Sequence, residues 1–535
     1  MEKVSIINPA TGRAFASDYT GTGIGFGGQL RGWDPVAKTA DAALLPGLER
    51  ANARSDDLVR NHGIAQGGVQ LHIDNIVGHL FRLSYKPRWK RLGISEQDAR
   101  LFAADVEAAF MELAEDPVGC YIDAERKRTF TMLVREAVGG HTRYGEVTSF
   151  ADWIGDRPGS ALKTAIKTIS PHRVSNPHGM HNTSGLHSGV RIDRHGAAVA
   201  YNVRDLEELG WGVGNGFGTT WREIPRETSW GRQQFIHVFE PTDDGQTRGA
   251  NKFLSVMEQV HMLSKLQNTK LQNTIVNAMY AATIESELGG EAAMEIIGAG
   301  EEGIQNLESY MAVISDYHNA SNIRMNGVKI PHLMPGETLN LKTSTNADNG
   351  FADLEAAIIR YVAAGLGGSY EQLSKDYSKV NYSSGRLSML ENWRHFMGKR
   401  KVIAARYASM IFALVLEEMI DRKIVTLPRG ARFNFYEAKS SWCNADWIGS
   451  GRIAIDGLKE VKESVLRIES GLSSYEKELA MVGEDYQEVF AQQVREMEER
   501  KAAGLPPPSW MRTQALAPDE PDEPEETNSA RGRAA

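Results

Sequence analysis

Residues 374 to 386 read SKDYSKVNYSSGR, a polar stretch that leads into an unusually long helical pattern. No proline interrupts the chain from Ser384 to Arg422, and apolar residues recur there at helical spacing. One face carries Leu390, Trp393, Met397, Ala404, Tyr407, Ile411, Leu414 and Glu418, and another carries Lys399, Arg400, Lys401 and Arg406. Because this length lacks a sustained heptad, we predict a spine that packs against several elements rather than a two-stranded coiled coil.

Two further helical stretches precede this loop. Residues 250 to 282 predict a long helix, and residues 350 to 366 predict a second one. Between them, residues 283 to 345 predict a small separate unit that Pro331 and Pro335 punctuate. The stripe of the first helix is formed by Val256, Val260, Leu263 and Leu266.

The flanking regions differ in character. Helical patterns fill residues from about Arg50 to Ala114, with a start at Ser95, and another runs from Arg128 to Ala137. Residues 145 to 240 alternate short apolar runs with Gly, Pro and Asn, which predicts strands and long loops. Two helices are predicted between 456 and 500. The fold class is therefore α+β. We expect flexible ends, a Gly-rich one over 1–50 and an acidic one over 506–535.

Composition sets limits on function. The 535 residues are 41% hydrophobic and 24% charged, as in ordinary globular proteins, and the formal net charge is -9. A tight DNA-binding protein is usually basic, so the charge argues against tight wrapping of nucleic acid. Cys120 and Cys443 are too few for a disulfide framework and predict free thiols. The longest apolar run, about 408–416, is shorter than the roughly 20 residues of a membrane helix, so no membrane is expected.

Known catalytic motifs are sparse in this sequence. It contains no Walker A motif, no HExxH, no CxxC pair and no GxSxG elbow. Gly23, Gly25 and Gly28 satisfy GxGxxG, but no strand pattern precedes them and no helix opens on them. We therefore predict no catalytic residue, no cofactor and no resident metal.

One histidine cluster keeps an enzymatic alternative open. Five histidines lie within 24 residues, namely His172, His178, His181, His187 and His195. His178 and His181 are close enough in sequence to share a metal ion, but no carboxylate stands near them to support the ligands. The alternative to a solvated loop is a metal-dependent hydrolase built on His178, His181 and His187. A monomeric adaptor of helical bundles is a third possibility.

The order of helix, small unit, return helix, polar loop and long helix resembles the portal proteins of the lambda family of tailed phages. The resemblance covers nearly the whole chain. Its most specific segments are 25–30 (GFGGQL), 235–241 (FIHVFEP), 244–250 (DGQTRGA), 278–286 (AMYAATIES), 331–336 (PHLMPG), 363–367 (AAGLG), 382–384 (YSS), 446–451 (DWIGSG) and 455–460 (IDGLKE).

The resemblance implies a homo-oligomeric ring, typically a dodecamer, at one capsid vertex of the virion, through which double-stranded DNA passes. It implies partnership with the large terminase subunit, a head-completion protein and the major capsid and scaffold proteins, with assembly in the host cytoplasm. It also implies a portal fold divided into a cleavable, flexible arm (1–50), wing (51–249), stem helix (250–282), clip (283–345), second stem helix (346–373), tunnel loop (374–383), wing spine with return strand (384–454), helical crown (455–505) and acidic tail (506–535).

Within that frame, the polar loop would meet DNA without gripping it. DNA carries one charge per ~1.7 Å, so each added cation strengthens a salt-dependent contact that a motor must break. Two lysines offer flexible point charges, and neutral groups position without strong attraction. The predicted DNA-channel residues are Lys375, Tyr377, Lys379, Asn381, Tyr382 and Arg386, and the predicted motor-facing clip residues are Arg324, Lys329 and His332.

Two details of this loop are also predicted. Ser383 or Ser384 is the expected N-cap of the long helix. Gly385 stands where many relatives have Ala, and Gly costs about 0.5–1 kcal/mol there relative to Ala, so we expect a hinge at this position.

Overall fold

The computed structural model describes residues 35–205, 220–279, 283–286, 312, 316, 323–325, 328–330, 337–340, 350–452 and 456–508. The chain divides into two compact units. The larger comprises Met1–Phe81 and Tyr85–Asp446, and the smaller comprises Arg82–Ser84 and Trp447–Ala535. The mixture of helix and sheet predicted from the sequence is confirmed.

Helices dominate both units. In the described part of the chain the α-helices are α1 (Ala40–Leu44), α2 (Leu48–Asn61), α3 (Gly63–Ile76), α4 (Trp89–Leu92), α5 (Glu96–Ala114), α6 (Phe130–Tyr144), α7 (Met257–Met279), α8 (Phe351–Leu366), α9 (Tyr370–Ser374), α10 (Tyr382–Lys399), α11 (Ala405–Asp421), α12 (Lys439–Trp442), α13 (Gly457–Glu469), α14 (Tyr475–Val482) and α15 (Tyr486–Ala502). Among the described residues, none of the helices combines the length and the apolar character that spanning a membrane requires.

The strands of the described residues form small sheets of two to four strands. They are β1 (Arg82–Tyr85), β2 (Glu146–Trp153), β3 (Thr164–Ile169), β4 (Leu186–His187), β5 (Val190–Ile192), β6 (Ala198–Arg204), β7 (Trp221–Pro225), β8 (Phe235–Phe239), β9 (Thr283–Ser286), β10 (Ile323–Met325), β11 (Val328–Ile330), β12 (Glu337–Asn340) and β13 (Ala445–Ile448). One sheet has the order β3-β2-β8 and another β4-β5-β6-β7. β1 pairs with β13, β10 with β11, and β12 with β9.

Helix starts follow local capping chemistry. The Ser95 side chain accepts a hydrogen bond from the Asp98 amide at 3.0 Å, so the predicted start of α5 is confirmed. Thr129 caps α6 in the same way, and that helix continues past Ala137 to Tyr144. The predicted long helix 250–282 begins at Met257, later than expected.

A shared core holds together the helices that carry the polar loop. It joins helices α2, α3, α8 and α9 with α7 and the segment that precedes α7. The predicted stripe of α7 contributes Val256, Val260 and Leu263, and Leu373 brings in the end of α9. The other members are Leu58, Val59, Ala65, Val69, Phe253, Ile359, Val362, Ala363 and Leu366. A second core lies between the sheets and includes Ile169, Val174, Val190, Tyr201, Val203, Ile224 and Phe235.

The long predicted helix exists but is not uniform. α10 and α11 are continuous through a π-helical turn at Arg400–Ala404. After this turn, the predicted face is buried, as Tyr407, Ile411 and Leu414 show. Before it, Leu390 and Met397 are exposed, and the buried positions are Asn392, Phe396 and Arg400. A π turn inserts one residue, so the buried face shifts by one position and the predicted single stripe is wrong before residue 400.

Both ends of the chain differ from the predicted boundaries. Residues 40–50 lie in helices, and Leu45 and Leu48 are buried. Asp41 accepts hydrogen bonds from the Thr247 amide at 2.9 Å and the Thr247 hydroxyl at 2.8 Å, which holds α1 in place. Residues 456 to 502 form three helices instead of two, because Gly471 and Gly483 interrupt the pattern with positive φ. The remaining parts of the two predicted flexible ends, 1–34 of the arm 1–50 and 509–535 of the tail 506–535, lie outside the described residues.

Candidate functional site

The polar loop joins α9 to α10 and begins with an unusual backbone conformation. Lys375 ends α9 with φ 60°, in the left-handed region, and its amide donates to the Glu371 carbonyl at 2.8 Å. A non-glycine residue in this region is uncommon, and it reverses the chain direction at once. The loop therefore leaves the core abruptly, directly after the buried Leu373.

Short local hydrogen bonds shape the rest of the loop. The Ser378 amide donates to Asp376 Oδ1 at 3.0 Å, and the Val380 amide donates to the Tyr377 carbonyl at 3.2 Å. The hydrogen bonds from Ser378 lower the pKa of Asp376, so this carboxyl is an anion beside the two lysines. Ser378 was not singled out from the sequence, although Asp-x-Ser is a recognisable turn pattern.

The start of α10 differs from the prediction. Neither Ser383 nor Ser384 is the N-cap; that position is held by Asn381, whose side chain accepts from the Ser384 amide at 2.8 Å. Ser384 donates its hydroxyl to the Asn381 carbonyl at 3.1 Å. Asparagine ranks with serine as an N-cap, so residue type alone did not distinguish the three candidates.

Most predicted loop residues are brought together at the surface. Lys375, Lys379 and Asn381 are exposed, and 56% of Tyr377 is accessible. Arg386 lies in the second turn of α10 and is half-buried. The backbone of Tyr382 begins α10, and its side chain lies outside the described residues. The described loop is thus a cluster of two cations, an anion and neutral hydrogen-bonding groups.

A rigid base supports this exposed loop. Asn392 of α10 donates to Gln372 Oε1 of α9 at 2.8 Å. The His72 ring bonds to the Leu366 carbonyl at the end of α8 at 2.8 Å, and burial lowers the pKa of His72 to about 4. The neutral ring then donates to that carbonyl. Further along the chain, the Arg400 guanidinium donates to the Ile76 carbonyl at 2.6 Å. These contacts fix both helices that flank the loop.

The predicted clip residues are only partly described. The backbone of Arg324 in β10 faces that of Lys329 in β11 in an antiparallel pair. His332 lies outside the described residues, as do the side chains of the other two.

The histidine cluster does not assemble into a ligand set. His178 and His181 are exposed, and the His178 ring lies 5.0 Å from the Trp221 ring. His187 Nδ1 lies 2.6 Å from Asp41 Oδ2, so its partner is a carboxylate of α1. Among the described residues, no group of three or more His, Cys, Asp or Glu side chains could hold a metal ion.

Family comparison agrees with the order of elements around the loop. Residues 26–400 match the family model described as phage portal protein, lambda family. This chain belongs to the lambda family of phage portal proteins. The resemblance predicted from the quoted segments is therefore confirmed.

Two relatives of this portal family cover nearly the same length. The chain is 55% identical over 494 residues to the portal protein of Escherichia phage N15, covering 92% of each chain. It is 54% identical over 495 residues to portal protein B of Escherichia phage lambda, covering 92% of this chain and 91% of that one. Neither match supports the hydrolase alternative.

Solved structures also show a distant likeness. The chain is similar to a chain from the neck of an empty gene transfer agent particle, with TM-score 0.44 and 12% identity, covering 85% of this chain and 94% of that one. A chain from the neck of the native particle gives TM-score 0.42 at the same identity and coverage.

Proposed function

We propose that copies of this portal-family chain assemble into a ring, a dodecamer by analogy with the family, that forms the channel for packaging and ejecting double-stranded DNA. The observation that carries this proposal is the 54–55% identity to two portal proteins over 92% of the chain. Identity of that extent leaves little room for a different overall architecture. The fold supports the same role, because an exposed polar loop stands on an anchored pair of helices.

The proposed setting is one vertex of the capsid in the virion, after assembly in the host cytoplasm. The proposed partners are the large terminase subunit during packaging, then a head-completion protein, with the major capsid and scaffold proteins around the ring. The β10–β11 hairpin, with Arg324 and Lys329, and the neighbouring His332 would face the motor. The role is that of a conduit without catalysis.

The loop would touch DNA weakly and repeatedly. Lys375 and Lys379 are exposed point charges that can follow a moving phosphate backbone. Asp376 lies between them and reduces their field, and its lowered pKa keeps it charged. Tyr377 and Asn381 add neutral hydrogen-bonding groups, while Tyr382 and Arg386 stand at the start of α10. Contacts of this kind read no sequence and break easily.

A double substitution tests the loop assignment. Lys375→Ala with Lys379→Ala should leave ring formation intact, because both side chains are exposed and outside the cores. DNA packaging or retention should fall, because the phosphate contacts are lost. Rings are scored by electron microscopy of purified protein, and packaging by nuclease-protected DNA in heads from cells in which this chain replaces a defective portal.

A matched control isolates the effect of position. Lys423 is an exposed lysine that follows α11 with φ 58°, close to the 60° of Lys375, so Lys423→Ala removes the same charge from the same backbone conformation. Wild-type packaging and retention by the double variant would reject the DNA role of the loop. A wild-type chain that shows no rings would reject the conduit itself.

A further inference from the structure

A small cavity lies among β5, β6, β8 and α11 of the larger unit. Its volume is about 220 Å³. Drug-sized ligands take roughly 300–1,000 Å³ and one water about 30 Å³ of liquid, so this space suits a single side chain or a small ion. None of the predicted DNA-channel residues lines the cavity, so the polar loop does not explain it.

Two arginines line this cavity, whereas no Asp or Glu is found among its described lining residues. Arg406 of α11 is exposed, and it forms no hydrogen bond or ion pair with any described residue. Arg226, which follows β7, makes two long contacts: Nη1 lies 3.5 Å from the Ala198 carbonyl oxygen and Nε lies 3.4 Å from Glu227 Oε1. An exposed ion pair of this kind contributes little free energy. The cavity therefore carries an excess of positive charge.

Tyr201 of β6 adds an unused hydroxyl to the same cavity. Its side chain is 3% exposed, and its ring stacks on Phe235 with the centroids 4.1 Å apart. In the part of the chain that the structure describes, its hydroxyl has no hydrogen-bond partner. Burial raises the pKa of Tyr201 to about 12, although the Arg226 and Arg406 charges act in the opposite direction. At neutral pH the hydroxyl is therefore a proton donor within the field of both arginines.

The carboxylates that bond to residues of the cavity wall are engaged elsewhere. Glu146 lies 2.9 Å from the ring of the wall residue His237, and it also accepts from Arg248. Asp41 accepts from the wall residue Thr247. Neither carboxylate pairs with the two arginines of the cavity, so these cations remain open to an anion from outside the described residues.

We infer that this cavity receives one acidic side chain of a bound protein segment, whose carboxylate lies against Arg226, Arg406 and the Tyr201 hydroxyl. Guanidinium groups bind carboxylates through paired, charge-assisted hydrogen bonds. The remaining wall suits the methylene stem of a glutamate, because much of it is apolar, namely Val190, Ile192, Ala198, Phe239 and Met410. This binding site goes beyond the proposed conduit and does not depend on a ring.

An acidic side chain fits the cavity better than a phosphate. Along each DNA strand a phosphate recurs every ~3.4 Å, so a continuous backbone would bring further negative charge next to Glu227. A free phosphate has no apolar part that could contact Phe239 and Met410. A glutamate brings a single charge on an apolar stem, which matches two guanidinium groups set beside apolar walls.

Arginine-selective modification of the purified full-length protein tests this site. Phenylglyoxal should modify Arg406, which is exposed and unpaired among the described residues, and peptide mass spectrometry measures the rate. N-acetylglutamate N-methylamide, at ten times its Kd, should slow this modification about tenfold by mass action. The glutamine counterpart of the probe, which lacks the charge, should have no effect. Arg191, half exposed and paired with Glu223, is the internal control whose rate should not change.

Tyr201→Phe examines the hydroxyl alone, because the variant keeps the stacked ring and loses no internal hydrogen bond of the described chain. The probe concentration that gives half protection of Arg406 should rise about tenfold, since a hydrogen bond to a charged group is lost. The matched control is Tyr361→Phe, which removes an exposed hydroxyl from α8 and should leave the protection unchanged.

The contrary outcomes are equally specific. Absence of protection by the glutamate probe, an Arg406 that phenylglyoxal does not modify, or unchanged protection in Tyr201→Phe would overturn the site. Protection by inorganic phosphate at an equal or lower concentration would make it a phosphate site and overturn the carboxylate assignment. Protection by free glutarate at a tenfold lower concentration would favour a small dicarboxylate and overturn the protein segment as occupant.

Discussion

At the scale of single residues, Glu146 is a carboxylate with no exposed surface. Arg248 Nε donates to both of its oxygens, at 2.9 and 3.0 Å, and the His237 ring lies 2.9 Å from Oε2. Burial alone would raise the pKa of Glu146, but the Arg248 charge and these hydrogen bonds hold it at about 2. Arg248 also donates to the Val174 and Pro171 carbonyls, so one ion pair connects the sheets to the segment before α7.

Arg248→Met should therefore destabilise the protein strongly at neutral pH, by about 3–5 kcal/mol, because it leaves a buried carboxylate without its cation. In the wild type, the lowered pKa of Glu146 means that the ionised carboxylate stabilises the folded protein. This contribution is fully present at pH values above the ordinary carboxyl pKa of 4.5, and it is lost as the pH falls toward 2. In the variant, burial raises the pKa of Glu146, so protonation relieves the penalty as pH falls. Urea unfolding from pH 7.5 to 4.5 should show the difference from wild type shrinking.

Arg191→Met is the control for that substitution. Arg191 pairs with Glu223 at the surface, with both side chains about half exposed, so its loss should change the unfolding free energy by less than about 1 kcal/mol at any pH. A pH-independent loss in Arg248→Met would mean that packing, not the buried charge, accounts for the effect.

Polar residues on apolar faces could be identified from the sequence, but their partners could not. Glu418 stands on the predicted stripe of the long helix, and the structure buries it. Its oxygens accept from the Lys163 and Thr164 amides at 2.7 and 2.8 Å. These partners lie more than 250 residues away along the chain, and no local pattern encodes that distance. His187 is a second example, because it bonds to Asp41, which is also distant along the chain. The metal cluster of the enzymatic alternative had assigned it a different role.

At the scale of elements, helix existence was predictable and helix phase was not. The stripe from Leu390 to Leu414 predicted one continuous helix, because its spacing is regular throughout. The π turn at Arg400–Ala404 shifts the buried face, and Arg400 donates to the Ile76 and Asn75 carbonyls at the end of α3. A one-residue insertion of this kind leaves the periodicity on either side unchanged, so the sequence pattern does not reveal it.

Gly385 lies where the loop meets the long helix, in the first turn of α10. A Cβ added there would lie 2.9 Å from Val380 Cγ1, so Gly385 allows the end of the loop to fold against the first turn of α10. Gly385→Ala should favour the helix by about 0.5–1 kcal/mol yet displace Val380. Hydrogen exchange should then be faster at the Val380 amide, whose bond to the Tyr377 carbonyl weakens. Adding Val380→Ala should restore the wild-type position of the loop.

Gly398→Ala is the matched control, since it lies in the same helix with no atom within 4 Å of the added Cβ. It should slow exchange in α10 without any effect at Val380. Unchanged exchange at Val380 in Gly385→Ala would contradict the predicted displacement of Val380 and the steric reason given for glycine at this position.

At the scale of the whole molecule, the order of elements was predictable because each long helix carries its own apolar stripe. The position of the polar loop on its supporting helices could not be predicted from the sequence. It depends on α9, a five-residue helix that is too short to show a periodic apolar pattern. Ser369 is the N-cap of α9, and Leu373 buries this helix in the core. Only the packing of the core shows these two roles. Function followed mainly from the family segments, which lie in loops and turns as much as in helices.

Net charge gives a prediction for the assembled protein. The chain carries 60 Lys and Arg against 69 Asp and Glu, so a ring would repel DNA at long range and attract it only where lysines are clustered. Closed circular DNA cannot enter a closed ring and meets only its outside. We expect no binding of circular DNA between 50 and 200 mM salt, whereas a basic surface making 6–10 phosphate contacts would lose about 10³–10⁵ in affinity over that range.

Linear DNA of the same sequence, whose ends can enter, should be retained more than circular DNA, and Lys375→Ala with Lys379→Ala should remove that difference. Strong circular-DNA binding that falls steeply with salt would place the basic surface outside the channel and reject this arrangement.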